Sequence, residues 1–248
     1  MNAKLLNTAE AASFLRVSQA SVRRWSDSGL LAARRLGRRR ERRFTEADLK
    51  RFLAPASGAS KAAHDGVQKE VFIGGTAVPL HSHVATFYNS DEGRLRLTLP
   101  FFREGLLHGQ PCFLAAGGEV REAYLAALRA EEGIDVDAAV REGTFVMADG
   151  PGAEVDAALG FWERVLSGAL SSGPILIRIV GEMVSERTIF KSDAEMIRYE
   201  IAFNMIAKRF RTVTLCQYDV RAFSGETIFR ALKAHPDLYE IQMGGFLL

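Results

Sequence analysis

The feature that most limits the fold is an alternation of short apolar runs with helical patterns through residues 71–248. Five apolar, β-rich runs are predicted strands, at residues 84–88, 111–115, 144–148, 174–180 and 213–218, and a further short strand is expected near 239–241 or 245–248. Strands that are apolar on both faces and separated by helices form parallel sheets covered on both sides. We therefore predict an α/β domain with a mostly parallel sheet.

Apolar residues at helical spacing fill the intervals between these strands, near residues 95–106, 120–128, 159–166 and 196–206. Pro100 lies inside the first pattern, where a proline removes a backbone hydrogen bond, so a kink is predicted there. Glu200, in the last pattern, is expected to face a partner such as an arginine. The pair His235-Pro236 is predicted to end a helix.

The carboxyl ends of the strands form the predicted ligand-binding edge, because parallel α/β sheets bind ligands there. Tyr88 and Tyr218 end two strands, and Glu182 follows a third. A buried carboxylate needs a partner, and the candidates are Arg178, Arg187 and Arg198. The phosphate-binding pattern Gly-x-x-x-x-Gly-Lys-Ser/Thr follows none of the strands, so nucleoside triphosphate hydrolysis is not expected.

A cluster of positive charge marks the first 53 residues as a separate unit. Nine of the 22 residues from 22 to 43 are arginine, and residues 1–53 carry a net charge of +8. Because the whole chain is only +2, residues 54–248 carry −6. A basic segment on a mildly acidic body is typical of a part that binds a polyanion.

Two short helices are predicted within this basic head. Asn7 and Glu10 have the spacing of a capping box at the start of the first helix. Residues 19–27 form the second helix, in which Val22 and Trp25 face inward. Its outer face then presents Gln19, Ser21, Arg23 and Arg24. Two helices joined by a tight turn indicate a helix-turn-helix, whose second helix enters the major groove and reads base edges.

Strand-like segments on either side of Gly37 predict a β-hairpin wing, followed by a helix that ends at residue 53. The wing carries Arg34, Arg35, Arg38, Arg39, Arg40, Arg42 and Arg43, which we expect to bind phosphates. A solvated charged face and RNA binding are the alternatives. RNA-binding modules usually display exposed aromatic residues, whereas the aromatic residues here occupy core-like positions, so double-stranded DNA is the predicted partner.

The composition of residues 54–63 is small, polar and interrupted by proline and glycine, as in linkers. We therefore divide the chain into a DNA-binding domain at 1–53, a linker at 54–70 and an α/β domain at 71–248.

The head resembles the MerR/excisionase-type winged helix-turn-helix family. The resemblance rests on Leu-Asn-Thr-Ala-Glu-Ala-Ala, Leu-Arg-Val-Ser, Val-Arg-Arg-Trp and Gly-Leu-Leu, in the order and spacing of that family over about 50 residues. It implies a pair of heads on a palindrome, and therefore a homodimer. An excisionase is usually little more than such a head, so the large body disfavours a role in recombination.

The body resembles the methanogen/methylotroph sensory domain of the DcmR type, called MEDS, over about residues 80–240. The matching segments are His-Val-Ala-Thr-Phe-Tyr from His83, Pro-Phe-Phe-Arg-Glu-Gly-Leu from Pro100, Gly-Glu-Met from Gly181, Tyr199-Glu200, Cys-Gln-Tyr-Asp from Cys216, Phe-Ser-Gly-Glu from Phe223, and His235-Pro236. This resemblance implies a RecA/KaiC-like fold without a working phosphate loop, and a sensor of small organic compounds, with one-carbon compounds as one class. The candidate ligand-binding residues are His83, Tyr88, Glu182 and Tyr218.

Other chemistry is weakly indicated. His81 and His83 would share a face if both lay on a strand, but no further metal ligand is recognisable, so no metal or cofactor is expected. No catalytic constellation has a recognisable spacing, so catalytic residues are not assigned and an enzyme is not expected. A protein-interaction module and a degenerate nucleotide-binding domain remain alternatives for the body.

The sequence predicts a cytoplasmic transcription regulator whose body senses a small ligand and modulates operator binding. No apolar run approaches the roughly 20 residues that span a bilayer, so no membrane association is expected. The N-terminus lacks the pattern of a signal peptide. Cys112 and Cys216 lie in apolar runs and are expected to be reduced, buried and structural.

Overall fold

A computed structural model describes residues 5–15, 19–27, 31–37, 41–53, 69–148, 150, 152–171 and 176–240. It confirms the predicted fold class, a parallel α/β sheet flanked by helices and preceded by a helix-turn-helix. The predicted linker segment 54–68 lies outside the described residues. So do three wing arginines, Arg38, Arg39 and Arg40.

The head contains three helices and a small antiparallel sheet. Its elements are β1 (Leu5–Leu6), α1 (Thr8–Leu15), α2 (Gln19–Asp27), β2 (Arg34–Leu36), β3 (Glu41–Thr45) and α3 (Glu46–Leu53), with strand order β1-β3-β2. The capping box is present: Asn7 Oδ1 accepts from the Glu10 amide at 2.9 Å, and Glu10 Oε2 accepts from the Asn7 amide at 2.8 Å. Trp25 is fully buried and packs on Phe52, with ring centroids 5.1 Å apart.

A five-stranded parallel sheet forms the centre of the body. Its elements, with a preceding hairpin, are β4 (Glu70–Ile73), β5 (Thr76–Pro79), β6 (Ser82–Tyr88), α4 (Asp91–Leu107), β7 (Cys112–Ala115), α5 (Gly118–Arg129), α6 (Val136–Glu142), β8 (Phe145–Ala148), α7 (Val155–Ser171), β9 (Ile177–Glu182), α8 (Met183–Arg187), α9 (Asp193–Arg209), β10 (Thr212–Asp219), α10 (Gly225–Ala234) and a 3-10 helix at Pro236–Glu240. The strand order is β6-β10-β9-β7-β8. Every residue of β6, β9 and β10 is buried, as expected for strands covered on both faces.

Several local predictions differ from the structure. The hairpin β4–β5 begins at Glu70, inside the predicted linker, and was not predicted. Residues 239–240 belong to the 3-10 helix rather than to a strand, whereas 245–248 lie outside the described residues. The helix α4 continues through Pro100, and the kink expected there stays a prediction. Among the described residues, no helix is long and apolar enough to cross a membrane.

Candidate functional site

The outer face of α2 carries two of the predicted base-reading residues. Gln19 and Arg23 are exposed, and Arg23 donates to Gln19 Oε1 at 3.3 Å. Val22 and Trp25, on the other side of the helix, are fully buried. The side chains of Ser21 and Arg24 lie outside the described part of the chain. The amphipathic pattern of α2 therefore leaves a polar surface that is free to approach a duplex.

The wing places like charges directly opposite one another. In the register of β2 and β3, Arg34 pairs with Arg43, and Arg35 pairs with Arg42. Opposed like charges destabilise an isolated hairpin, and a polyanion relieves that repulsion. Arg43 is partly compensated by Glu41, whose Oε2 lies 2.7 Å from its guanidinium. Between the wing and the starts of α1 and α2 lies a cleft whose lining includes Asn7, Gln19, Arg23, Arg35 and Arg42.

The carboxyl edge of the body sheet contains Tyr88 and Glu182 in direct contact. Glu182 is the last residue of β9 and caps α8, accepting from the Ser185 amide at 2.8 Å and the Ser185 hydroxyl at 2.7 Å. The Tyr88 hydroxyl donates to Glu182 Oε1 at 2.8 Å. Burial, and then the negative charge of Glu182, raise the pKa of Tyr88, which stays protonated. This buried carboxylate is therefore stabilised by amides and hydroxyls.

None of the three arginines predicted as partners of Glu182 forms an ion pair with it. Arg178 donates to Gln110 and to the Phe101 carbonyl, and it pairs with Glu104 at 3.2 Å. The remaining two pair elsewhere, Arg187 with Asp193 and Arg198 with Glu195. The prediction was wrong because Glu182 lies at a helix start, where backbone amides are available to a carboxylate.

The other two predicted ligand residues lie on the opposite face of the sheet. Strand side chains alternate between faces, and the register pairs Tyr88 with Asp219 and Phe87 with Tyr218. Tyr218 therefore shares a face with His83, whereas Tyr88 shares the other face with Glu182. The structure does not bring the four residues into one pocket. Ligand contact by each of them remains a prediction.

His83 belongs to a buried polar cluster that includes Glu200 of α9, and Tyr218 contacts this cluster. We name it the His-Cys-Glu cluster and define it by His83, Glu200, Cys216 and His235, whose potential ligand atoms all lie within 4.8 Å of one another. His83 Nε2 lies 3.1 Å from Cys216 Sγ and 3.6 Å from Glu200 Oε2, and His235 Nε2 lies 2.9 Å from the same Glu200 oxygen. Tyr218 donates its hydroxyl to that oxygen at 3.1 Å.

The electrostatics of the His-Cys-Glu cluster follow from its burial. Burial opposes ionisation of Glu200, but the imidazole rings of His235 and His83 beside it outweigh the effect of burial and lower its pKa. Burial, followed by the charge of His235, lowers the pKa of His83. Burial and the Glu200 charge raise the pKa of the Cys216 thiol well above its ordinary value. The protein alone therefore holds a carboxylate beside a neutral thiol.

A second buried acid lies close to this cluster. Glu186, on α8, has a pKa raised well above its ordinary value by burial and by the charges of Glu200 and Glu182. The Glu186 side chain packs directly against Gly181 of β9. A Cβ atom added at position 181 would lie only 2.8 Å from Glu186 Oε1. Glu186 is therefore harder to ionise than an ordinary glutamate.

The cluster was not predicted from the sequence. Glu200 was expected to pair with an arginine, Cys216 to be structural and His235 to end a helix. His235 does cap α10, but its ring also faces Glu200. The fold brings Glu200, Cys216 and His235 close to His83, which the sequence did not reveal. His81 is not part of the cluster: it precedes β6, and its Nδ1 lies 2.6 Å from the Phe210 carbonyl.

Comparison with known proteins places this architecture in a family. Residues 82–236 match the MEthanogen/methylotroph, DcmR Sensory (MEDS) domain, and residues 5–57 match a helix-turn-helix domain. The chain belongs to the MEDS family, and a helix-turn-helix domain precedes its sensory domain. Over 247 residues it is 36% identical to the transcriptional repressor DcmR of Methylorubrum extorquens (strain DSM 6343 / CIP 106787 / DM4), covering 96% of this chain and 92% of that protein. The predicted helix-turn-helix and MEDS resemblances are confirmed.

The contacts of Glu182 lead to a stability prediction. Replacing Glu182 with Gln introduces an amide donor among groups that already donate, so we expect the free energy of unfolding to fall by about 1–3 kcal/mol. Urea denaturation of the full chain, followed through tryptophan fluorescence, measures this. The control is Glu226→Gln on exposed α10, with an expected change within about 0.5 kcal/mol. Equal stability of the two variants would contradict a structural role for Glu182.

Proposed function

We propose that the chain is a DNA-binding transcriptional repressor whose body responds to a small organic ligand. The observation that carries this proposal is the arginine-paired wing beside the polar face of α2. The match to a transcriptional repressor over 96% of the chain supports it. In this proposal catalysis has no part.

The head binds double-stranded DNA in two ways. Residues of α2 read base edges in the major groove, where Arg makes paired hydrogen bonds to guanine. The predicted DNA-binding residues of this helix are Gln19, Ser21, Arg23 and Arg24, of which Arg23 and Arg24 are expected to reach guanine edges. The arginines of the wing bind phosphates and fix the register without selecting sequence. We further propose that two chains act as a homodimer on a palindromic operator.

The body transmits ligand binding to the head through α9. The guanidinium of Arg209, at the end of this helix, lies 4.5 Å from the Phe52 ring centroid in α3 and pairs with Glu163. A ligand that favours one position of α9 shifts the population of head arrangements, and DNA affinity changes with it. The ligand-contact residues proposed are His83, Tyr88, Glu182 and Tyr218.

One observation favours a second function for the body. Tyr88 is 2% exposed, and His83, Glu182 and Tyr218 are fully buried. Such packing suits a body that binds a protein partner instead of a small molecule.

Mass spectrometry of a solvent extract from the purified full chain distinguishes ligand sensing from protein binding. If the body senses a small ligand, we expect a stoichiometric small organic compound in the extract, or a change in DNA affinity of about 5–150-fold when methanol, formate or methylamine is added. If neither is found, the interaction module is favoured.

The two modes of DNA contact lead to different predicted effects of mutation. Arg34→Ala with Arg35→Ala should weaken binding to all duplexes alike and reduce the salt slope by about 2, since each lost phosphate contact contributes about 0.9. Arg23→Ala should instead lose about 1–3 kcal/mol of discrimination at one base pair. Fluorescence anisotropy with duplexes selected from a random library measures both.

The matched control for these variants is Arg129→Ala, an exposed arginine at the end of α5 in the body, which should leave DNA affinity and salt slope unchanged. A changed base preference in the Arg34/Arg35 variant would show that the wing is not merely a phosphate contact.

The contact of Arg209 with Phe52 leads to a prediction about coupling. A cation–π contact of this kind contributes about 0.5–2 kcal/mol, so Arg209→Ala should raise hydrogen exchange in residues 46–53 by a factor of roughly 2–30. Hydrogen–deuterium exchange of the full chain measures this. The control is Arg198→Ala, an exposed residue on the same helix. Unchanged exchange in α3 would remove Arg209 from the coupling.

A further inference from the structure

The His-Cys-Glu cluster has the composition of a metal site. It offers two imidazole nitrogens, one sulfur and one carboxylate oxygen, all from buried side chains. Imidazole, thiolate and carboxylate are the ligands of four-coordinate zinc in proteins. With metal–ligand bonds of about 2.0–2.3 Å, a tetrahedral site separates its ligand atoms by about 3.3–3.6 Å. Three of the separations in the cluster are 2.9, 3.1 and 3.6 Å, and all of them lie within 4.8 Å, so the cluster is close to the size of such a site.

The protonation of His235 leaves a lone pair facing the cluster. Its Nδ1 lies 2.7 Å from the Ala231 carbonyl, which can only accept, so Nδ1 carries the hydrogen. In the neutral ring, Nε2 then has a lone pair. This nitrogen is buried and lies 2.9 Å from a carboxylate oxygen, yet makes no hydrogen bond of acceptable geometry. An imidazole lone pair and a carboxylate oxygen this close repel each other unless a proton or a metal ion lies between them.

A second fixed imidazole faces the same point. The Asn204 amide nitrogen donates to the carbonyls of Glu200, Ile201 and Ala234, so its oxygen is directed at His83 Nδ1, 3.3 Å away. Nδ1 is therefore the protonated nitrogen of His83, and Nε2 presents its lone pair to Cys216 and Glu200. Outer hydrogen bonds of this type orient histidines that bind metals.

The charges of the ligand side chains match those of one divalent ion. A thiolate at Cys216 and a carboxylate at Glu200 together carry two negative charges, which one divalent ion neutralises inside a site that excludes water. Binding releases the thiol proton to solvent. We propose that His83 Nε2, Glu200 Oε2, Cys216 Sγ and His235 Nε2 together bind one zinc ion within the body. This site holds whether or not the head binds DNA.

Cobalt substitution tests the site, because tetrahedral cobalt bound to a thiolate has a characteristic charge-transfer absorption that zinc lacks. The full chain is produced in cobalt-supplemented medium, and the metal is counted by elemental analysis. We expect one cobalt ion per chain, with tetrahedral bands and a thiolate-to-cobalt band. Less than stoichiometric metal after both zinc and cobalt growth, or cobalt without the thiolate band, would overturn the proposal.

The two cysteines of the chain provide a matched pair of variants. Cys216→Ser should lose the charge-transfer band, whereas Cys112→Ser, at another buried strand position, should keep it. Should Cys216→Ser fail to fold, Cys112→Ser still decides the matter, because a band retained there can arise only from Cys216. Loss of the band in Cys112→Ser together with its retention in Cys216→Ser would refute the assignment.

The outer hydrogen bond gives an independent measurement. Asn204→Ala keeps all four ligands but frees the ring of His83, so the affinity for cobalt, measured by competition with a chelator, should fall by about 10- to 100-fold. His81→Gln, a histidine outside the cluster, should leave that affinity unchanged. Equal affinities of these two variants would contradict the assigned role of His83.

Discussion

The burial of the Glu200 carboxylate is the constraint on which the centre of the body depends. Only 1% of its side chain is exposed, and an ionised carboxylate removed from water is costly unless charges or hydrogen bonds compensate it. Tyr218 on β10 donates a hydrogen bond to it, and the rings of His83 on β6 and His235 at the end of α10 lie against the same oxygen. Elements far apart in the chain are thus tied to one oxygen, and a cation at this point would satisfy all of them together.

The helix that carries Glu200 also reaches the head. Glu200, Asn204 and Lys208 recur at intervals of four and lie on one face of α9. Lys208 pairs with Asp237, which in turn accepts from the His83 amide. Arg209, about 13 Å along the axis from Glu200 at 1.5 Å per residue, contacts Phe52 of α3. In the proposed coupling, a change in the partners of Glu200 acts on the head contact through one rigid element, because packed helices move as units.

The sequence predicted what local patterns determine. The five parallel strands, the two head helices and the wing follow from periodicity and turn chemistry, whereas the β4–β5 hairpin lay unnoticed at the end of linker-like composition. The His-Cys-Glu cluster was out of reach because its members have no local spacing. The parallel pairing of β6 with β10, in which Ala85 lies opposite Cys216, is what brings His83 close to Cys216. The same register separates Tyr88 from Tyr218, although both end predicted strands, since a one-residue offset reverses the face.

The proposed coupling between body and head needs only a small free energy. Coupling between two sites amounts to about 1–3 kcal/mol, or roughly 5–150-fold in affinity, and one hydrogen bond to a charged group contributes about 1.5–3 kcal/mol. A ligand can shift the population of two arrangements only by the difference in its affinity for them. In the proposed mechanism, gaining or losing one contact at Glu200 or Arg209 would therefore be enough to change operator binding, without a large rearrangement of the sheet.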